Sequence, residues 1–261
     1  MTPILEARRL TFTYPHAATP AVNDASLQLE KGSFTALLGA NGAGKTTLLR
    51  LLLGMHTELN DHVLVDGQPL SRMTRRQISR WLGYVPQSEH LPFDYSVLEY
   101  VLLGRAPHLE PLAMPGEADL DAARAAISEV GICHLLGRPI PELSGGELQL
   151  AMIARVVAQQ SAIILLDEPT AHLDLVNKAR MTALLQQLTA RGVTVLASLH
   201  DPETAARFAS HVILMRHGAV VAAGPTNETI TSTTLSAAYG APVTAQRLNG
   251  DWLIRVPPES L

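Results

Sequence analysis

The apolar run Ser33-Phe-Thr-Ala-Leu-Leu-Gly39 reads as a buried strand that stops at a glycine. That glycine opens Gly39-Ala-Asn-Gly-Ala-Gly-Lys-Thr46, a full match to G-x-x-x-x-G-K-[ST]. Thr46-Thr-Leu-Leu-Arg-Leu-Leu-Leu follows with a helical reading, and Gly54 closes it. A strand that feeds a glycine loop, which in turn opens a helix, leaves few folds available. Gly39, Gly42 and Gly44 allow the backbone to wrap closely around phosphates, and the helix start turns its N–H groups toward the anion. Ala40, Asn41 and Ala43 complete the loop. Lys45 brings a point charge to the outer phosphates, and the Thr46 hydroxyl suits Mg²⁺.

Further strands fit the same plan. Ala162-Ile-Ile-Leu-Leu166 and Val193-Thr-Val-Leu-Ala-Ser-Leu199 are nearly continuous apolar runs, as expected of a parallel sheet covered on both faces. The first leads into Asp167-Glu168, which puts two carboxylates at the carboxyl end of a strand, where open parallel sheets hold their ligand crevice. Asp167 is expected in the Mg²⁺ shell, and Glu168 is expected to orient or deprotonate a water. His211-Val-Ile-Leu-Met and Gly218-Ala-Val-Val-Ala-Ala read as a closing hairpin.

The texture changes between residues 89 and 160. Leu120, Ala123, Ile127 and Val130 form a helical stripe that Gly131 ends, and prolines punctuate the flanks. This stretch is expected to be a helical subdomain inserted into an α/β core made of residues 1–88 and 161–225, with a tail over 226–261. Within it, Leu143-Ser-Gly-Gly-Glu147 opens a helix running through Leu148, Met152, Ile153 and Val156. Ser144 and Glu147 have the spacing of a capping box. Ser144, Gly145 and Gly146 at a helix start also make a second anion cradle, although one nucleotide needs a single cradle. A second copy of the chain would account for the spare.

Composition narrows the classes. The 261 residues are 47% apolar and 17% charged, enough for one or two domains and against intrinsic disorder. The 20 Lys and Arg against 24 Asp and Glu leave a net charge of −4, which argues against a surface made for nucleic acid. No uncharged apolar run reaches the roughly 18 residues of a membrane span. Met1-Thr-Pro-Ile-Leu-Glu6 lacks the basic-then-apolar layout of a secretory leader, so none is expected. Cys133 is the only cysteine, so no internal disulfide can form, in keeping with a reducing compartment.

With these motifs in this order, the chain resembles the ATP-binding subunits of ABC transporters over nearly its whole length. Tyr14, in Leu10-Thr-Phe-Thr-Tyr14, matches the aromatic that stacks on adenine. Gln87, in Tyr84-Val-Pro-Gln87, matches the glutamine that touches Mg²⁺ and signals to the membrane partner. Asp174, after Leu173, matches the acidic loop that crosses a dimer interface, and His200 matches the histidine near the γ-phosphate. Two departures stand out: Glu147 where many members carry Gln, and Ala171-His172-Leu173 where Ser-Ala-Leu is common.

The resemblance implies a P-loop NTPase core of the RecA-like α/β type, with a mainly parallel sheet and an N-terminal antiparallel β region. It implies a head-to-tail homodimer with two ATPs at the interface. Each ATP would be held by Lys45, Thr46 and Thr47 of one chain and by Ser144, Gly145 and Gly146 of the other. It further implies integral membrane permease subunits, a periplasmic or extracellular substrate-binding protein, and a peripheral location on the cytoplasmic face of the plasma membrane. Part of Leu91–Gly104, apolar and aromatic in a chain with 4% aromatics, is expected to receive a permease helix. Val101–His108 and Leu199–Glu203 look like the subfamily serving metal-chelate importers, for iron–siderophore, haem, cobalamin or molybdate-type cargo. The cargo itself is contacted by other subunits. A non-transport ABC ATPase of DNA repair or the ribosome is the alternative, and a P-loop kinase or GTPase a more distant one that would leave Leu143–Glu147 unexplained.

Overall fold

A computed structural model describes residues 3–89, 93–171, 173–248 and 251–257. His172, and Leu91 and Pro92 of the apolar aromatic stretch, lie outside the described residues.

The chain begins with β1 (Leu5–Phe12), β2 (Val22–Leu29) and β3 (Phe34–Leu38), followed by α1 (Lys45–Leu52). Two short strands, β4 (Val63–Val65) and β5 (Gln68–Pro69), precede α2 (Arg75–Trp81) and β6 (Leu82–Val85). Next come α3 (Val97–Leu102), a 3₁₀ turn over Leu103–His108, α4 (Glu117–Val130) and α5 (Gly145–Gln159). Alternation resumes with β7 (Ile163–Leu166), α6 (Leu175–Ala190), β8 (Thr194–Ser198), α7 (Pro202–Phe208) and β9 (His211–Arg216). The chain continues through β10 (Ala219–Pro225), α8 (Thr226–Thr229), α9 (Ser232–Tyr239), β11 (Thr244–Leu248) and β12 (Asp251–Arg255).

The central sheet has the order β10-β9-β3-β8-β7-β6, parallel throughout except for the β9–β10 pair. A second, antiparallel sheet has the order β2-β1-β4-β5. The α/β class, the parallel core and the antiparallel N-terminal region are thus all present. The expected closing hairpin is a hairpin, but its first strand also pairs in parallel with β3 and so belongs to the central sheet. The tail, which the sequence left without features, carries two short helices and the β11–β12 hairpin. Ile254 N donates to Glu203 Oε1 at 2.8 Å, tying that hairpin to α7.

Strand periodicity explains why the central strands are buried and largely apolar on both faces. In β3, Phe34, Ala36 and Leu38 face a core shared with α3, α4 and α5, while Leu37 faces the opposite core around α1 and the antiparallel sheet. In β7, Ile164 and Leu166 face the first core, and Ile163 and Leu165 the second. Helix α1 is wedged inside that second core and buries Leu48, Leu49, Leu51 and Leu52. Among the described residues, no helix is long and apolar enough to cross a membrane.

The structure gives part of Phe93–His108 a packing role. Val97, Tyr100 and Val101 are fully buried, whereas Phe93 and Leu103 are exposed. Arg105 is buried and donates to Asp119 Oδ1 (3.0 Å), Ala158 O (2.8 Å) and Gln160 Oε1 (2.9 Å), fastening the 3₁₀ turn to α4 and α5. His108 Nε2 lies 2.8 Å from Gln159 O. The turn can approach α5 this closely because Gly104 has no side chain: a β-carbon there would collide with the Arg155 carbonyl oxygen. Gly104→Ala is therefore expected to destabilise the chain by about 1–3 kcal/mol through overpacking. Gly137→Ala, with open space around the added carbon, is expected to stay within about 0.5 kcal/mol. Urea unfolding of the two variants checks the contrast.

Candidate nucleotide-binding and hydrolysis site

Parallel register brings four connections to one sheet edge. Val85 of β6 is aligned with Leu166 of β7, and Leu166 with Ala197 of β8, while Leu37 of β3 is aligned with Ser198. Gln87, Asp167, Glu168, His200 and the loop from Gly39 therefore all emerge at the carboxyl ends of neighbouring strands, where a doubly covered parallel sheet opens its crevice.

The loop's shape depends on two glycines. Gly39 and Gly44 adopt φ of +153° and +101°, and a β-carbon at either would collide with a backbone carbonyl, Met215 O and Ala21 O respectively. Gly218 N donates to Ala43 O at 3.0 Å, strapping the loop to the β9–β10 turn. Lys45 is 5% exposed and folds back along the loop, donating from Nζ to Gly39 O (2.8 Å) and Ala40 O (3.2 Å). Burial pushes its pKa down, and the negative charges of Glu168 and Asp167 act against that fall. Helix α1 begins at Lys45, one residue before the expected start, so the amides of its first turn have no acceptor within the helix. A cavity of about 680 Å³ opens over this loop, walled by Asn41 to Thr47 together with Gln87, Glu168, Ala171 and His200. Tyr14 stands beside it, its hydroxyl 3.3 Å from Thr47 Oγ1 and its ring edge-on to Phe12.

The acidic end is held just as closely. Glu168 Oε2 accepts from Gln87 Nε2 at 2.6 Å and lies 2.7 Å from His200 Nε2, so three of the expected site residues converge on one oxygen. Glu168 also has a left-handed backbone, φ +51°, a conformation that costs a residue with a β-carbon roughly 1–3 kcal/mol and persists only where neighbours impose it. Asp167 is 1% exposed and sits behind the cavity wall, its Oδ1 accepting from Ser198 Oγ at 2.8 Å. Burial, and after it the charge of Asp167, pushes the Tyr84 phenol up to about 12. Thr46, Gln87 and Asp167 together offer a hydroxyl, an amide carbonyl and a carboxylate. Such an all-oxygen donor set fits Mg²⁺.

The remaining residues are elsewhere in the chain. Ser144 and Gly146 line a separate cavity of about 660 Å³ with Glu147, Asn177 and Arg180. The capping box is formed: Ser144 Oγ accepts from Glu147 N at 3.4 Å and donates to Glu147 Oε2 at 2.7 Å. Those bonds from Ser144 hold the Glu147 carboxyl below its usual range. Gly145 is the first residue of α5. Asp174 caps α6, accepting from Asn177 N at 2.8 Å, and Asn177 in turn lies against Gly146. Acidic loop and second cradle are thus neighbours, both apart from the phosphate cavity. One residue at the site that the sequence reading passes over is Ser198. Its only signal is a hydroxyl at the end of an otherwise apolar run, two positions before His200.

The ABC transporter family model matches residues 22–171 of this chain. The chain belongs to the ABC transporter family. It is 37% identical over 237 residues to the ferric enterobactin transport ATP-binding protein FepC of Escherichia coli (strain K12), covering 90% of this chain and 87% of that one. A metal-chelate type ABC transporter solved in an inward-facing conformation superposes with a TM-score of 0.84 at 33% identity, covering 97% of this chain and 96% of that one. A dimeric bacterial ABC transporter cassette matches with a TM-score of 0.75 at 26% identity over 85% of this chain and 98% of that one. The ABC ATPase described here is accordingly an ATP-binding subunit whose hydrolysis is coupled to transport. Because Lys45 is the one cation buried against the loop among the described residues of this cavity, Lys45→Ala is expected to weaken ATP binding at least about tenfold, the loss of one charge-assisted contact. Calorimetric titration checks this, and an unchanged affinity would remove Lys45 from the site.

Proposed function

We propose that this ABC ATPase powers uptake of a metal chelate, of the iron–siderophore, haem, cobalamin or molybdate type, through a separate membrane permease. In this reading it is peripheral to the cytoplasmic face of the membrane, and a binding protein delivers the cargo from outside. One observation supports the dimeric part: the Ser144 end of α5, the second cradle expected from the sequence, lines no part of its own chain's phosphate cavity. A second copy turned head to tail supplies the phosphate for that cradle, and the likeness to a dimeric cassette supports the same arrangement. The cargo class rests on the 37% identity to a ferric enterobactin transport subunit and on the fit to a metal-chelate type transporter.

In the closed pair, Gly39 to Thr47 hold the phosphates from one side, Tyr14 offers its ring to adenine, and Ser144, Gly145 and Gly146 of the other copy cap the γ-phosphate. Asp174, beside that cap, lies at the seam. Thr46, Gln87 and Asp167 would hold Mg²⁺, which when bound neutralises charge on the phosphate oxygens. Glu168 accepts a proton from the attacking water as the water oxygen bonds to the γ-phosphorus and the bond to the β–γ bridging oxygen breaks, giving ADP and phosphate. Gln87 and His200 already bond to Glu168 Oε2, which leaves Oε1 as the acceptor. His200 steadies the γ-phosphoryl group as it passes from ADP to water. Two facing cradles of positive potential repel until the γ-phosphate lies between them, so ATP favours closure and its hydrolysis favours opening.

The exposed Phe93 and Leu103 are the apolar contacts offered to the permease. With its permease coexpressed, the chain is expected to pellet with membranes; without it, to stay in the supernatant. Sedimentation at equal expression checks this. Glu168→Gln is expected to lower turnover at least about a hundredfold and to trap an ATP-bound dimer on gel filtration. Adding Gly146→Asp to that variant is expected to abolish the trapped dimer while ATP still binds. Wild-type turnover in Glu168→Gln would remove the base, and a dimer that survives Gly146→Asp would remove the cap.

A further inference from the structure

Ser198 closes β8 and is fully buried. Its hydroxyl lies between two groups that the proposed hydrolysis requires. Glu168 N donates to Ser198 Oγ at 2.7 Å, and Ser198 Oγ donates to Asp167 Oδ1 at 2.8 Å. The polarity of this chain of bonds is forced. An amide nitrogen can only donate and an ionised carboxylate can only accept, so the single hydroxyl proton has one place to go. The parallel register explains the placement: Leu166 is aligned with Ala197, so the next residue of each strand, Asp167 and Ser198, meet at the sheet edge.

The three positions before it in β8, Val195, Leu196 and Ala197, are buried and apolar, so the hydroxyl stands out in its strand. A buried hydroxyl that makes no bond is costly, whereas this one makes two. Those bonds fall where the backbone is strained: Glu168 holds φ +51°, and the bond to its own amide keeps it in that conformation. The bond to Asp167 fixes one of its carboxylate oxygens.

Resting on the reading of Glu168 as the base, we infer that Ser198 is a positioning residue for hydrolysis. Through one hydroxyl it aims the Glu168 carboxylate at the attacking water and sets which oxygen of Asp167 faces the metal. Ser198 itself touches neither nucleotide nor water.

The test uses the full chain with its permease and compares Ser198→Ala and Ser198→Thr with the parent protein. Ser198→Ala is expected to lower kcat roughly 10- to 100-fold, the rate equivalent of one hydrogen bond to a charged group. The KM for ATP and the affinity for ADP without metal should stay within about threefold, because the phosphate loop is unchanged. Mn²⁺ binding to the ADP-loaded chain, read by electron paramagnetic resonance, should weaken as the Asp167 carboxylate loses its anchor. Ser198→Thr, which keeps the hydroxyl, should recover most of the rate. In a Glu168→Gln background at saturating Mg²⁺, where any weakening through Asp167 is masked, the Ser198→Ala change should slow turnover no further, since only the path through Glu168 remains and it is already lost. If Ser198→Ala fails to fold, Ser198→Cys keeps the volume with weaker bonds and should give an intermediate rate. A Ser198→Ala or, in its place, Ser198→Cys rate equal to the parent's, with Glu168→Gln inactive, would overturn the inference and leave the base in place. Additive loss in the double variant would overturn it as well. Full turnover in Glu168→Gln would overturn the base and this inference with it.

Discussion

The phosphate cavity of this ABC ATPase depends on the in-register parallel pairing of β6, β7, β8 and β3. Because neighbouring strands run the same way and end together, their connections emerge side by side, and side chains distant in sequence meet within hydrogen-bond reach. Gln87 and Glu168 are 81 positions apart and share a 2.6 Å bond. The pairing is secured by burial on both faces: alternate residues of each strand enter two separate apolar cores, so a slip of one residue would exchange them wholesale. The antiparallel sheet on one side and the helical layer on the other are what keep those faces dry.

The same edge concentrates charge and strain. Lys45 is buried close to Asp167 and Glu168, a cation and two anions at the mouth of a parallel sheet. Lys45 rests on two carbonyl oxygens of its own loop, Glu168 on Gln87 and His200, and Asp167 on Ser198. Gln87 and His200 sit in the connections just after β6 and β8, and Ser198 ends β8.

The helical layer links that edge to a distant surface. Helix α5 starts at the Ser144 capping box and ends against the 3₁₀ turn that Arg105 clamps. At its flank, Arg155 bonds to Tyr100 of α3 (Nε to hydroxyl, 3.1 Å) and to Glu89, two residues beyond Gln87 (3.4 Å). The exposed Phe93 and Leu103 lie at the ends of the same apolar stretch.

Local chemistry alone determined a good part of this. The glycine loop, the apolar strands before it and before Asp167, the capping box at Ser144 and the helical stripe of α4 are each written within a few consecutive residues. Their periodicities and steric demands are properties of the chain segment itself. Tertiary structure decided what no short segment contains. It made β9 a parallel neighbour of β3, placed Val97, Tyr100 and Val101 in the core, and drew Gln87, Glu168 and His200 onto one oxygen. Ser198 shows why: in sequence it is a small polar interruption of an apolar run, and its bonds to Asp167 and Glu168 arise from strand register, a relation between segments 31 and 30 positions apart.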